Sequence, residues 1–101
     1  MPTTNKLLLE AIALRKCVSA TYNRMTVTLA PHILYTRHGE LYLDAVTVER
    51  DGQPPREIKL GAFKLTGLTN VKSLDRMFEP ASIFVPSDDK YAGTALFAVE
   101  T

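Results

Sequence analysis

Six side chains concentrate what this 101-residue chain can offer an anionic ligand: Tyr22, Arg24, Tyr42, Arg56, Lys59 and Lys64. The guanidinium of Arg56 presents a planar fork of donors that matches a phosphate or a carboxylate. Lys59, Lys64 and Arg24 extend positive charge across adjoining strands, as a groove that tracks a phosphate backbone requires. Tyr22, Tyr35 and Tyr42 add rings that stack on a base and hydroxyls that hydrogen-bond a ligand. Each has a plainer reading beside the functional one. Arg56 can pair with Glu57 or Glu49, exposed Lys residues discourage pairing between sheet edges, and tyrosine rings commonly pack at a rim.

The inventory for catalysis is thin. Only His32 and His38 offer a base that titrates near neutral pH, and neither sits beside a nucleophile and an orienting partner in a known pattern. His38 reads as a solvent-exposed turn residue. Cys17 follows the one helix candidate, at the wrong end of its dipole for thiolate activation, and reads as a buried structural thiol. Cys17, His32 and His38 have no metal-ligand spacing, there is no glycine-rich phosphate loop, and no cofactor is expected.

The elements that must position these groups follow from periodicity. Leu7, Ala11 and Leu14 recur at helical spacing, with Leu8 and Ile12 beside them, so residues 5–16 predict a helix. Thr4 or Asn5 would cap it, Arg15 and Lys16 would fill its last turn, and it should stop near Cys17. Residues 18–71 then read as short strands. Residues 18–22 and 25–30 form a tight hairpin about Asn23-Arg24, with Val27 and Leu29 facing one way and Thr26 and Thr28 the other. Pro31 should end the second strand, and residues 33–36 restart an extended segment that turns at Arg37-His38-Gly39-Glu40. Residues 41–49 make the longest strand, on which Tyr42 points away from Leu41 and Leu43. After Asp51-Gly52 and Pro54-Pro55, residues 56–60 and 63–71 read as two more strands, separated or kinked near Gly61. Phe63, Phe78, Phe84 and Phe97 read as packing residues. Five or six such strands make a small sandwich or barrel, mainly β with one helix, and closure would remove exposed edges.

At this length, with 46% hydrophobic and 23% charged residues, one compact domain with a modest core is expected, rather than disorder. Leu7-Leu8-Leu9 is interrupted at once by Glu10, far short of a membrane span. With no secretion signal at its start, a cytoplasmic protein is the default expectation. Charge divides along the chain. Residues 15–76 hold ten Lys or Arg against six Asp or Glu, whereas residues 77–101 hold one Lys against four acids. A basic body at 1–80 thus carries an acidic extension at 81–101, in which Ser87, Asp88, Asp89 and Lys90 break two apolar stretches. The extension is expected to dock on the barrel or on a neighbouring subunit.

The order of a helix, Tyr22 closing a first strand, Ala30-Pro31, the run Gly39-Glu40-Leu41-Tyr42-Leu43-Asp44-Ala45, then Arg56-Glu57-Ile58-Lys59-Leu60 and Phe63 resembles a WYL domain. The resemblance spans about residues 7–80. It implies an SH3-like or Sm-like barrel of about five strands behind a helix, used as the sensory part of bacterial transcription regulators. It also implies a basic, aromatic-bearing groove that takes small ligands or nucleic acid. Tyr42 and Leu43 match the last two residues of the Trp-Tyr-Leu triplet, and Tyr22 matches the aromatic that ends the first strand. Arg56, Ile58 and Leu60 match the family's Arg, Phe and Leu. Gly61 and Ala62 replace its Asp and second Arg, and Phe63 takes the Ile position. No helix-turn-helix segment precedes the domain, so a stand-alone, divergent member is expected.

The expectation for function is therefore a non-enzymatic module that binds a small anionic ligand or single-stranded nucleic acid and passes its occupancy to a transcription-regulator partner. Arg56 would fix the anion, Tyr42 stack or hydrogen-bond, Tyr22 line the groove, and Arg24, Lys59 and Lys64 raise the potential. This requires Tyr42 and Arg56 on one side of the barrel. The alternative is a structural or oligomerisation protein whose ligand site has decayed, with a homo-oligomer, preferably a dimer, expected in either case.

Overall fold

The computed structural model describes residues 3–100, with side chains from Asn5 onward. Among the described residues one α-helix, α1 (Thr3–Leu14), precedes six strands: β1 (Lys16–Tyr22), β2 (Met25–Arg37), β3 (Glu40–Arg50), β4 (Leu60–Lys64), β5 (Thr69–Met77) and β6 (Ala95–Ala98). The strands form one antiparallel sheet in the order β4-β3-β2-β1-β5, with β6 added to the second half of β2. A 3₁₀ turn at Leu65–Gly67 links β4 to β5. The result is mainly β, a small barrel-like α+β fold, and α1 is too short and polar to cross a membrane.

The strand turns are set by local chemistry. Asn23 and Arg24 (φ 51° and 65°), His38 and Gly39 (53° and 77°) and Asp51 and Gly52 (50° and 81°) each supply two consecutive positive φ values. That pairing matches the right-handed twist of the flanking strands, so the hairpins close without splaying. The helix departs from expectation at both ends. It already includes Thr3, so Thr4 and Asn5 lie within its first turn and the cap falls outside the described residues. It ends at Leu14 because Arg15 adopts φ 56°, and Lys16 is already in β1. Neither Arg15 nor Lys16 belongs to a last helical turn.

Pro31 does not end β2, which runs through it to Arg37. On one flank β2 pairs with β1 as far as Leu29 and with β6 from Ile33, while on the other its register against β3 shifts between Pro31 and Ile33. The residue without an N–H thus sits between two ladders and at a bulge in the third, where a missing donor is tolerated. Residues 56–59 are not a strand. They belong to a loop after the Arg50-Gln53 bridge, and β4 begins only at Leu60. The segment 63–71 is likewise divided among β4, the 3₁₀ turn and β5.

Both faces of the central strands are buried. Val18, Leu29, Leu43 and Ala45 point into the core that Leu8 and Ile12 of α1 close, together with Phe63. Their neighbours Cys17, Ala30 and Val46 point the other way and pack against Leu60, Leu74, Phe78 and Ala81. The C-terminal segment covers this outer face. Phe84, Tyr91 and Val99 are buried, and the Val99 amide donates to the His32 carbonyl at 2.7 Å. Phe97, expected to pack, is 38% exposed because the short β6 lies at the sheet's edge.

Candidate functional site

At one end of the barrel the loop 51–59 curls over the inner face of β3 and β4. It leaves an open cleft of about 590 Å³ lined by Arg50, Arg56, Glu57, Lys59, Gly61 and Phe63, among others. The β1–β2 turn carrying Arg24 is tied to the same end. The Asp51 amide donates to the Thr26 carbonyl at 2.8 Å, and the Thr26 amide donates to Asp51 Oδ1 at 3.1 Å. Behind Phe63 stands Tyr22, edge to face at 5.0 Å between ring centroids. Gly67 lets the backbone approach this ring, since a Cβ there would lie 3.0 Å from Tyr22 Cε1. The cleft therefore has an aromatic wall and a cationic rim.

Its charges are unequal in their freedom. Lys59 Nζ lies 3.2 Å from Glu57 Oε1, an exposed pair that contributes little and rearranges readily. Arg50 and Arg56 form no ion pair with any described residue, so their forks remain available. The pairings of Arg56 with Glu57 or Glu49 offered by the sequence are not formed, because Glu57 meets Lys59 and Glu49 meets Arg76 at 2.7 Å.

Tyr42 and Lys64 lie elsewhere. They are partners in the β3–β4 ladder, on the face opposite Leu43 and Phe63, whereas Phe63 lines the cleft with Arg56. Tyr42 stacks on Tyr35 at 6.0 Å, and Lys64 Nζ is held 2.8 Å from Glu40 Oε2. That hydrogen bond raises the Lys64 pKa and occupies its charge. The second cleft, about 430 Å³ beside Asn5, Glu40 and Lys64, is thus already neutralised. Of the six expected residues, Tyr22, Arg24, Arg56 and Lys59 gather at one end of the barrel. Tyr42 and Lys64 do not join them, and the single groove that needed Tyr42 and Arg56 on one side is not formed.

Two buried polar groups carry contacts that the sequence reading left unassigned. Asp44, 1% exposed, accepts from Tyr35 Oη at 2.7 Å and from Tyr91 Oη at 2.5 Å, and Lys90 Nζ lies 2.8 Å from its Oδ2. The Lys90 ammonium also stands 5.1 Å from the Tyr91 ring centre and 5.8 Å from that of Tyr35. Burial, then the bond to Asp44, pushes both phenol pKa values far up, so both stay protonated donors. His32, fully buried, lies between Phe78 and Phe84, and burial lowers its pKa. The signal for Asp44 was its place two residues from Tyr42, on the face away from Leu43 and Ala45; the signal for its partners was the polar break before Tyr91.

Among the described residues, no three His, Cys, Asp or Glu side chains are grouped to hold a metal ion. Cys17 is buried, which raises its thiol pKa, and His38 is exposed in its turn. No family model, curated protein or solved structure matches this chain.

Proposed function

We propose that this chain is a non-enzymatic binding module that takes a phosphate-bearing ligand in the cleft at the barrel end. The observation that carries this reading is the pair of guanidinium groups, Arg50 and Arg56, that line one cleft without an ion pair to any described residue. A fork from each clamps phosphate oxygens by charge-assisted hydrogen bonds. Lys59 swings from Glu57 to the ligand, Arg24 adds long-range attraction, and the Phe63 ring, backed by Tyr22, forms the wall. The WYL resemblance supports the same ligand chemistry and a regulatory setting in which occupancy is passed to a transcription-regulator partner. Tyr42 and Lys64 have no part in this cleft.

The test is fluorescence anisotropy of a labelled single-stranded oligonucleotide with wild type and Arg56→Ala at about 50 and about 200 mM salt, since phosphate contacts weaken with salt. Saturable binding that falls with salt and drops about tenfold or more in Arg56→Ala is expected, given the strength of hydrogen bonds to charged groups. Competition by pyrophosphate distinguishes a site for one small anion from one that follows a strand. Equal binding by both proteins, or none to either probe, contradicts the reading.

A second reading, a structural protein that self-associates, is favoured by exposed apolar residues of the C-terminal segment. Leu96 is 58% exposed and Val85 49%, and β6 leaves one edge unpaired. Light scattering at several concentrations tests it: a dimer that Leu96→Glu dissociates, with no anion binding, supports this second reading over the first.

A further inference from the structure

The His32 ring is held between two backbone groups that demand opposite roles. Nδ1 lies 2.7 Å from the Ala30 carbonyl, which can only accept, so Nδ1 carries the proton. Nε2 lies 3.0 Å from the Ala81 amide nitrogen, which can only donate, so Nε2 is bare. One neutral tautomer satisfies both. A second proton on the ring would set N–H against N–H at Ala81 while leaving the Ala30 bond intact.

What Ala81 anchors is a strap. Residues 78–84 cross the outer face of the sheet, with the Phe78 and Phe84 rings 5.1 and 5.2 Å from the imidazole centre. Beneath lie Cys17, Ala30 and Val46, against which Phe78 and Ala81 pack. Beyond the strap the chain is fastened again, independently of His32's ring, by Tyr91 and Lys90 on Asp44 and by β6 on β2. Within the strap Ser82 and Ile83 are exposed, and its internal backbone bond is the single turn from the Phe84 amide to the Ala81 carbonyl at 3.0 Å.

We propose that residues 78–84 form an acid-released cover: protonation of His32 breaks the Ala81 anchor, and the strap opens about its fixed ends to uncover the patch of Cys17, Ala30 and Val46. The groups around the ring set the balance. Burial disfavours the imidazolium; the Ala30 carbonyl and the Asp44 charge favour it, in that order. From β2 and the C-terminal segment, Tyr35, Tyr91 and Lys90 all bond to Asp44, and Lys90 offsets its charge. On the strap itself Glu79 is solvent-exposed, and on β5 Arg76, whose charge reaches Cys17, is paired with Glu49.

Cys17, the chain's one cysteine, reports the opening. Its rate of reaction with 4,4′-dithiodipyridine, a disulfide that remains reactive toward thiols in mild acid, is measured from pH 7.5 to 5, with far-ultraviolet circular dichroism monitoring the fold. An unprotected thiol slows as pH falls because its thiolate fraction shrinks. Divided at each pH by the rate of free glutathione, which carries that fall, the wild-type rate should rise about tenfold on acidification with unchanged dichroism, the size expected for loss of one buried hydrogen bond. His32→Gln, which keeps an amide donor and acceptor but cannot protonate in this range, should lose the rise. Ala81→Pro, which removes the anchoring N–H and leaves His32 in place, should make Cys17 fast already at pH 7.5. A wild-type rate that, relative to glutathione, does not rise as pH falls, a rise shared by His32→Gln, or a rise that appears only with loss of dichroism overturns the proposal. Should His32→Gln not fold, a slow Cys17 in Ala81→Pro at pH 7.5 does the same.

Discussion

Asp44 is charged, buried and saturated with donors, and it ties the C-terminal segment to the sheet. Tyr91→Phe removes one donor from a buried carboxylate and should destabilise the fold by about 1–3 kcal/mol in urea unfolding. Tyr35→Phe should cost a similar amount. Because both phenols share one acceptor, the double variant should depart from the sum of the singles. His32 governs a second dependence. Its pKa is lowered in the folded state, so the unfolded chain takes up a proton first as pH falls. Its contribution is fully present above about 6.5, the ordinary histidine value, and is lost as pH drops from there through the folded value. Denaturation midpoints should therefore fall on acidification more steeply for wild type than for His32→Gln. Among the described residues no buried side-chain polar atom lacks a hydrogen-bond partner, so each such deletion orphans a group. Neither network was legible beforehand: Asp44 reads as one polar letter in a strand, and its partner Tyr91 lies 47 residues away. Exposure of His38 was legible because turn chemistry is local; burial of Cys17 was expected from a helix end, but it arises from its place in β1 beneath Phe78 and Ala81.

At the scale of elements, the three tight turns were readable because Asn23-Arg24, His38-Gly39 and Asp51-Gly52 carry residues that tolerate positive φ. The continuity of β2 through Pro31 was not, since it depends on which neighbour each flank meets. Nor was the fate of residues 56–59: their alternation suits a strand, yet their places beside β3 begin only at Leu60, opposite Val46. This loop decides the site, for it carries Arg56 and Lys59 to the inner face and away from Tyr42. The C-terminal segment is equally a product of long-range packing. It buries Phe84, Tyr91 and Val99, each side chain being worth roughly 1.5–3 kcal/mol. Ending the chain before Ala81 should remove about as much stability as a small domain possesses. The truncated protein is expected to unfold or aggregate, visible as a lost thermal transition, and so would not by itself separate a scaffold from a ligand sensor.

For the whole molecule, a near-neutral total charge conceals a polarity in space. The acidic extension lies against the outer face, with Lys90 turned inward to Asp44, while Arg24, Arg50, Arg56 and Lys59 collect at one end of the barrel. Reversing that end with Arg50→Glu and Arg56→Glu should abolish anion binding and leave the thermal midpoint nearly unchanged, because neither guanidinium is paired with a described residue and exposed charges contribute little to folding. The proposed ligand meets the face that carries Arg50 and Arg56, and amide chemical-shift mapping resolves that face residue by residue. Titrating the isotopically labelled protein with pyrophosphate and then with a short single-stranded oligonucleotide should move the amides of residues 22–24 and 50–63. Those of Glu40, Tyr42 and Tyr35 should stay still. Shifts centred on Tyr42 and Lys64, or none at either end, would place the ligand elsewhere or nowhere on the barrel.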